Sequence, residues 1–458
     1  MVKYQAYAEY KDSEVEWLGQ IPKTWDISRL KYTADIFGRI GFRGYTVDDI
    51  VDEGEGALVL SPSNILGDQF SLEKKTYLSW KKYYESPEIM VELNDILLVK
   101  TGSTYGKSTI ILEKKEPMTI NPQMALLKKI KLEPRFLYYL FQSTLYKAII
   151  DISNTGSGMP TMTQENINSF PIPSPDFNEA LNIANFLDHE TAKIDHLIEK
   201  QQQLIELLKE KRQAVISHAV TKGLDPNVPM KDSGVAWLGK VPEHWTVKRL
   251  KHISPKIGVG LVINPSNYTR DEGVYFIFGG DVKEYGFDLS KTRRIAKHDS
   301  DNLLPSRLNY RDLVSIRVGY PGITAVVTQE LEGANCASVI VIRKGKYNSD
   351  WLCAAMNIWV GRQQVELASY GAAQKQFNVS DAIEFIFPVP PEREQNEIAN
   401  FVEETRNKFD SLSQKAEAQI ALLKERRTAL ISAAVTGKID VRNWQAPTVA
   451  EADTELSA

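Results

Sequence analysis

The sequence predicts an α+β protein in which two bodies of mixed helix and sheet are separated by two long antiparallel coiled-coil helices. The first observation is an internal repeat, since two blocks of sequence recur at nearly one offset. The second is a pair of long stretches, 176–220 and 392–435, that contain neither proline nor glycine. The third is a set of short β-branched runs between glycine and proline breaks, which is typical of strands. The 458-residue chain is therefore a tandem duplication with pseudo-twofold repetition.

Each repeat opens with a short segment that carries two tryptophans, within 1–31 and 224–251. Residues 12–31 read DSEVEWLGQIPKTWDISRLK and residues 232–251 read DSGVAWLGKVPEHWTVKRLK, with eleven of twenty positions identical. The tryptophans at 17, 25, 237 and 245 belong to this repeated part. We therefore predict that they pack within a scaffold rather than stack on bases.

A body with its own sequence follows each opening segment, at 32–170 and 252–387. Short β-branched runs and one helix in each body predict an α+β fold. The predicted strands and helices used below are, in chain order, Thr109–Leu112, Pro134–Ile150, Ile323–Val327, Ser338–Ile342 and Ser349–Val360.

The closing regions, 171–223 and 388–441, begin with proline-rich stretches that suit the start of a helix. A seven-residue seam runs in the same phase through Leu187, Ile194, Gln201, Leu208 and Val215 and through Val402, Phe409, Ala416, Leu423 and Leu430. Pairing the two helices in an antiparallel coiled coil buries both seams, whereas two separate helices on separate cores are the alternative. The small, acidic tail, 442–458, is predicted to be disordered.

Composition excludes several classes of protein. Only two cysteines occur, Cys336 and Cys353, which argues against a disulfide framework or a cysteine-rich zinc module. Neither a membrane-spanning apolar run nor the apolar core of a signal peptide is present, so a cytoplasmic protein without membrane contact is expected. The net charge of -4 means that any nucleic-acid partner must be held by local patches.

Several chemical motifs are nearly present. The segment 102–108 resembles a phosphate-binding loop but is one residue short between its glycines. Asp95 followed by Glu113-Lys114-Lys115 has the spacing of a metal-dependent nuclease, but the second repeat has no equivalent. We therefore predict no catalytic, cofactor-binding or metal-binding residue in this chain.

Three stretches carry a family resemblance. Residues 232–251, residues 422–440 (LLKERRTALISAAVTGKID) and Phe387-Pro-Val-Pro-Pro391 followed by Glu394-Gln395 resemble conserved parts of type I restriction–modification specificity subunits. The likeness in organisation covers about residues 10–441 and is weak inside the two bodies. Residues 176–180 (DFNEA) depart from the pattern, since the second repeat has EREQN at the same place.

The resemblance implies a non-catalytic DNA-recognition subunit. Each body would be a target-recognition domain that reads one half of an asymmetric, split sequence in double-stranded DNA through the major groove. The conserved helices would space these domains and dock two adenine-methyltransferase subunits, and optionally two restriction subunits. S-adenosylmethionine would be bound by the methyltransferase subunits, and ATP and Mg by a restriction subunit where one is present.

Base and phosphate contacts are expected from basic, polar and aromatic residues on loops of the two bodies. The candidates are Arg39, Arg43, Lys81, Lys82, Tyr83, Lys100, Thr101, Ser103, Tyr105, Lys107 and Ser157 in the first body, and Arg293, Arg294, Arg317, Tyr320, Gln374 and Lys375 in the second. Lys100 and Arg317 stand at the same place in two diverged copies, which favours a shared role. For each single residue the alternative is a solvated surface charge.

Two other functions remain open at this point. One is a stand-alone DNA-binding regulator or inhibitor of a restriction system. The other is a nuclease that uses Asp95 and Glu113. Residues 29–170 carry 17 basic and 17 acidic side chains, and residues 248–385 carry 18 and 14. This modest charge suggests that partner subunits neutralise much of the DNA backbone.

Overall fold

A computed structural model describes residues 4–39, 41, 44–67, 69–154, 158–262, 267–371 and 375–445. The chain divides into two compact units. Unit 1 comprises Met1–Gln201 with Ala418–Ala458, and unit 2 comprises Gln202–Glu417. The two long helices therefore contribute a part to each unit, and each unit is built around one of the two bodies.

Unit 1 contains fourteen strands and five short helices among its described residues, together with parts of two long helices. In chain order these are β1 (Tyr10–Asp12), β2 (Gln20–Pro22), β3 (Asp26–Arg29), α1 (Leu30–Thr33), β4 (Asp35–Gly38), β5 (Ile50–Val51), β6 (Gly56–Leu60), β7 (Ile65–Leu66), β8 (Gln69–Phe70), β9 (Tyr77–Ser79), α2 (Trp80–Tyr84), β10 (Ile96–Val99), β11 (Ser108–Ile110), β12 (Met118–Ile120), β13 (Met124–Lys128), α3 (Pro134–Gln142), α4 (Thr144–Ile152), α5 (Gln164–Ser169), β14 (Pro171–Ser174) and the start of α6 (Phe177–Lys222).

Two four-stranded sheets form the body of unit 1. One has the order β11-β10-β13-β4 and is antiparallel, and the other has the order β12-β6-β9-β5 with β12 parallel to β6. Side chains alternate between the two faces of a strand. In β10, Leu97 and Val99 therefore pack into a core shared by the two sheets, whereas Ile96 and Leu98 face a core built with the helices.

The predicted helix Pro134–Ile150 is two helices, α3 and α4. Ser143 between them is extended, with φ −68° and ψ 152°. Its hydroxyl accepts a hydrogen bond from Tyr146 N and donates one to Leu140 O, so this serine caps the start of α4. The helix prediction was wrong at this point because the apolar pattern continues across the break.

Strand pairing brings the two ends of each body together. In unit 1, β3 pairs antiparallel with β14, with Arg29 opposite Pro171. The opening segment folds as the hairpin β1–β2, and Trp25 lies fully buried behind it. Trp17 contacts Tyr146 edge-on, with ring centroids 5.7 Å apart. The prediction that these tryptophans pack within the scaffold is confirmed.

Unit 2 contains the corresponding elements. In chain order these are β15 (Met230–Asp232), β16 (Lys240–Pro242), β17 (Thr246–Arg249), β18 (Ile257–Val259), β19 (Thr269–Arg270), β20 (Val274–Ile277), β21 (Val282–Lys283), β22 (Gly286–Phe287), β23 (Arg293–Ile295), α7 (Lys297–Asn302), β24 (Leu313–Ile316), β25 (Thr324–Val326), β26 (Asn335–Cys336), β27 (Val339–Ile342), α8 (Ser349–Asn357), α9 (Trp359–Ala368), α10 (Val379–Ala382), β28 (Ile386–Val389) and the start of α11 (Glu392–Val435).

The sheets of unit 2 have the orders β18-β27-β24-β25 and β19-β23-β20-β26, and β17 pairs with β28. The predicted helix Ser349–Val360 is again two helices, α8 and α9, with Ile358 extended between them. A Cβ at Gly361 would lie 2.3 Å from Met356 O, so only glycine allows α9 to approach the end of α8 this closely. Trp245 is fully buried, like Trp25 in unit 1.

The long helices run antiparallel within each unit. In unit 1, Asp195 pairs with Arg427 at 2.9 Å, and Asn182 donates to Arg442 O beyond the end of α11. In unit 2, Arg212 of α6 pairs with Asp410 of α11 at 2.7 Å. Most of the predicted seam is buried; its members below a tenth exposed are Leu187, Ile194, Val402, Phe409, Ala416 and Leu423. The predicted fold class is confirmed.

The C-terminal segment packs on unit 1 beyond residue 441, where the predicted disordered tail begins. Trp444 lies edge-on to Phe186, with ring centroids 5.7 Å apart, and Arg442 lies over the ring of Tyr7. Packing on unit 1 therefore includes Arg442 and Trp444, inside the segment 442–458 that was predicted to be disordered. Residues 446–458 lie outside the described part of the chain.

Candidate nucleic-acid interface

A pair of loops at the end of the central strand forms the same arrangement in each unit. In unit 1 the strand β10 ends at Val99, and Lys100 begins the turn that leads to β11. The carbonyl of Lys100 accepts a hydrogen bond from Met162 N at 2.9 Å, and Thr101 forms an isolated bridge with Thr161. We call the turn 100–106 with the loop 158–162 the unit 1 platform.

Unit 2 repeats this main-chain pattern. Arg317 follows β24, and its carbonyl accepts a hydrogen bond from Phe377 N at 3.3 Å. Val318 forms an isolated bridge with Gln376. We call the turn 317–322 with the loop 375–378 the unit 2 platform. Gly102 and Gly319 both have positive φ and both donate to the facing loop, so the first three residues of the two turns are equivalent.

Lys100 is a cation without a carboxylate partner among the described residues. Its Nζ lies 3.1 Å from the position that a Cβ on Gly38 would occupy, so the glycine leaves room for the ammonium group. Burial lowers the pKa of Lys100 below its ordinary value. A half-buried ammonium group without a counter-ion is suited to bind an incoming acceptor, because its desolvation has already been incurred in the folded protein.

Arg317 is held in a fixed position. Its Nε donates to Phe377 O at 3.3 Å, and its Nη2 donates to Asn378 Oδ1 at 3.1 Å. Tyr370 OH also donates to Asn378 Oδ1 at 3.1 Å. A guanidinium has five donors in a planar fork, so donors remain for a base edge or a phosphate. Preorganisation of this kind lowers the entropy lost on binding.

The platforms carry several of the other predicted residues. Ser103 is exposed, Thr101 is half-buried, and Tyr105 donates its hydroxyl hydrogen to Ile150 O at 2.6 Å. Tyr320 is the most exposed aromatic residue of the unit 2 platform, at 81%. Lys375 is exposed and pairs with Glu366 at 3.2 Å.

Three predicted residues of the first body are used within the fold. Arg39 is only 4% exposed, and it donates to Ile120 O at 2.9 Å and to Thr119 Oγ1 at 3.0 Å. Tyr83 is buried in α2, and Lys82 pairs with Glu85 at 2.8 Å.

The remaining predicted residues lie outside the platform segments as defined above. Lys81 is exposed. Arg293 lies over the ring of Phe278, and Arg294 lies over Tyr275 at 3.6 Å from the ring centroid. Lys107 lines a separate cleft against the helices. Arg43, Ser157 and Gln374 fall outside the described residues.

The sequence did not identify three further residues, one within a platform and two beside one. Gln123 is exposed, and its Nε2 lies 3.6 Å from the position of a Cβ on Gly102. Asn378 and Tyr370 hold Arg317 from the facing loop. Aligning the loop before Met162 with the loop before Phe377 would have indicated which segments face the two turns. No signal in the sequence identifies the side-chain contacts that these segments make.

The near-motifs have structural roles. The segment 102–108 is a strand-to-strand turn rather than the strand-to-helix turn of a phosphate-binding loop. Glu113 is exposed and pairs with Lys115, whereas Asp95 is buried and accepts a hydrogen bond from Glu92 N at 2.8 Å. The described residues contain no group of three histidine, cysteine or acidic side chains placed to hold a metal, and none of their helices is long and apolar enough to cross a membrane.

Asp95 makes stability depend on pH. Burial raises the pKa of Asp95 to about 6, although the hydrogen bond from Glu92 N and the Lys128 ammonium 3.9 Å away oppose this shift. The stabilisation from binding this proton is complete below about pH 4 and is lost as pH rises through about 6. We expect Asp95→Asn to gain stability relative to the wild type between pH 5 and pH 8, on the order of 1–2 kcal/mol. Urea unfolding of both proteins at the two pH values measures this, and parallel pH dependences would contradict it.

Comparison with known proteins agrees with this architecture. Residues 64–207 match the family model of the type I restriction modification DNA specificity domain. A protein of Methanocaldococcus jannaschii described as a type I restriction enzyme MjaX specificity subunit is 23% identical over 460 residues, covering 96% of this chain and all of that protein. The chain is therefore similar, over nearly its whole length, to type I restriction enzyme specificity subunits. The Escherichia coli EcoBI specificity subunit is also similar, with 23% identity over 72% of this chain and 71% of its own length.

Solved structures from type I restriction–modification systems share the fold. A chain from work on the assembly and conformational transition of the type I R-M system superposes with a TM-score of 0.68 at 15% identity, covering 92% of this chain and 99% of the other. The HsdS subunit of Thermoanaerobacter tengcongensis gives a TM-score of 0.50 at 14% identity, covering 92% and 98%. The low identities mean that the likeness concerns the fold of this chain and not its individual contacts.

Proposed function

We propose that this chain is a specificity subunit that reads a split DNA sequence, with one platform and its neighbouring loops contacting each half. The observation that carries the proposal is the equivalence of Lys100 and Arg317, which follow the central strand in two bodies of different sequence. A repeated scaffold with different side chains at the same position suits two related but different half-sites.

The chemistry of the two platforms supports different readings. Arg317 has the fork that binds the two acceptors of guanine, O6 and N7, in the major groove. Gln123, beside Lys100, has the amide that suits the N6 and N7 edge of adenine. Different groups at equivalent positions would therefore give an asymmetric target.

The chain would act without chemistry of its own. Two methyltransferase subunits would carry S-adenosylmethionine and methylate adenine N6, and restriction subunits, where present, would bring ATP and Mg. The even balance of basic and acidic residues in the first body supports a contribution of these partners to phosphate neutralisation. The test combines the purified chain, S-adenosylmethionine and DNA, with and without the methyltransferase subunit. Methyl transfer or cleavage by the chain alone would overturn the proposal.

Arg317→Ala is expected to weaken specific DNA binding by the assembled methyltransferase by about 1–3 kcal/mol. The loss should come from specific binding, because the substitution removes a fixed fork rather than a general positive charge. Competition binding against specific and random duplexes at constant salt measures the difference.

Arg393→Ala is the matched control, since Arg393 is a 92% exposed cation on α11 outside the platform. It removes the same charge and is expected to leave the ratio of specific to random binding unchanged. Equal effects of the two substitutions, or no effect of Arg317→Ala, would make Arg317 an ordinary surface charge.

A further inference from the structure

Unit 1 contains an open cleft between the β10–β11 turn, α4 and the parts of α6 and α11 that belong to this unit. The cleft has a volume of about 610 Å³. Its apolar wall includes Ile150, Ile198 and Ile431. Gly67, in the turn of the β7–β8 hairpin, also lines it and brings no side chain into the space.

Three lysines give the cleft its charge. Lys107, Lys147 and Lys424 line it, and within the described part of the chain none of their ammonium groups has a carboxylate within ion-pair distance. The fourth basic lining residue, Arg427, is paired with Asp195 at 2.9 Å.

Unit 2 contains the same elements, but there the corresponding cations are paired by residues of the unit itself. The β21–β22 hairpin corresponds to β7–β8 and places Glu284 3.1 Å from Arg362 and 3.9 Å from Arg212. The neighbouring Tyr285 packs against the core of unit 2 and lies under the guanidinium of Arg406, 3.9 Å from the ring centroid. An acidic and an aromatic side chain, adjacent in one hairpin turn, therefore complete this site in unit 2.

Sequence differences between the repeats account for the contrast. Arg362 corresponds to Lys147, and Glu284 corresponds to Gly67, so among the described residues Lys147 has no counterpart of the Glu284 carboxylate. Lys209 corresponds to Lys424, and its partner Glu206, 2.9 Å away, is replaced by alanine at position 421.

Two further replacements distinguish the two units, and one of them adds to the charge of the unit 1 cleft. Arg406 corresponds to Thr191, which is smaller and donates to Leu187 O in its own helix. Ile323 corresponds to Lys107, so unit 1 has a cation where unit 2 has an apolar side chain.

We propose that the unit 1 cleft binds a turn of a partner polypeptide that presents a carboxylate next to an aromatic side chain, as Glu284 and Tyr285 do within unit 2. The carboxylate would pair with Lys147 and Lys424, and the ring would lie against the isoleucine wall. That the partner is a methyltransferase subunit rests on the proposed function, whereas the binding preference of the cleft does not.

The lining favours a polypeptide over a DNA phosphate. The isoleucine wall offers nothing to a phosphodiester but contributes to the binding of an aromatic ring, since burial of apolar surface is favourable.

The test uses the full-length chain and a cyclic peptide of sequence DVKEYGFD, which is residues 281–288. We expect saturable binding in isothermal titration, weakened at least tenfold by Lys424→Glu and by Lys147→Glu. Lys209→Glu, the matched change in unit 2, should leave the affinity unchanged. A peptide with glutamine in place of its glutamate should bind at least tenfold more weakly. Asp68 is next to Gly67 in sequence, so Asp68→Asn tests whether a carboxylate of this chain competes with the peptide for the cleft. The substitution should leave peptide binding unchanged or strengthen it.

Absence of peptide binding, or equal weakening by Lys209→Glu and Lys424→Glu, would overturn the proposal. Inorganic phosphate and a short DNA duplex are also tested for displacement of the peptide that has glutamine in place of its glutamate. If either displaces it from the wild type and not from Lys424→Glu, the cleft is a phosphate site, and this result would also overturn the proposal. Melting temperatures confirm that the variants fold. DNA recognition by the assembled enzyme is measured separately, so a failure here is distinguishable from a failure of the proposed function.

Discussion

Exchange of residues 32–170 for the equivalent body of a related protein is expected to change one half of the methylated sequence and to leave the other half as it was. The exchange is structurally conservative because the two ends of the body lie side by side. Arg29 of β3 pairs with Pro171 of β14, so both junctions fall at one antiparallel pair that belongs to the scaffold. Sequencing that detects N6-methyladenine measures the recognised sequence directly.

The control is the reciprocal exchange of residues 252–387, whose ends meet at the β17–β28 pair in the same way. It should change the half that the first exchange preserves. A change in both halves after either exchange would contradict modular reading. Loss of all methylation with an unfolded protein would be recognised by circular dichroism and would call for other junctions within β3 and β14.

A second large effect is expected from lengthening the helices. The helix α6 runs without interruption from Phe177 to Lys222, and α11 runs from Glu392 to Val435. If these helices set the distance between the two half-sites, insertion of Leu-Leu-Lys-Glu after Glu210 adds about one turn, or about 6 Å. At about 3.4 Å per base pair, the unread gap in the target should grow by one or two base pairs.

The inserted turn needs a partner, because Arg212 pairs with Asp410 across the two helices of unit 2. A second four-residue insertion in α11, after Leu412, keeps the pairing on both sides of the insertion. The half-sites should stay unchanged, since neither body is altered. A variant with an unchanged gap and full activity would show that the helices do not determine the spacing.

The repeat allowed much of the fold to be predicted, because equivalent residues in two copies constrain each other. Matching Leu97–Gly102 with Val314–Gly319 placed Lys100 and Arg317 at one position, and the strand registers agree. The long helices were predicted to within two residues at each end, since their start at proline-rich stretches and their heptad seams are local signals.

Features that depend on distant contacts could not be predicted. Arg39 beside a glycine-rich loop looked like a surface cation, but it donates to Ile120 O, 81 residues away. The breaks at Ser143 and Ile358 interrupt continuous apolar patterns, because packing against the sheet decides them. The contrast between the open cleft of unit 1 and the completed site of unit 2 depends on which hairpin residue reaches the helices, and the alternating pattern of a strand carries no information on this.

The most direct test of DNA-sequence recognition by this chain is a genome-wide map of N6-methyladenine in cells that contain the methyltransferase subunit, with and without the chain. The account predicts one split, asymmetric sequence that is methylated only when the chain is present. It also predicts that Arg317→Ala reduces methylation at that sequence while leaving the protein folded. An identical methylation map in the two strains would contradict the account.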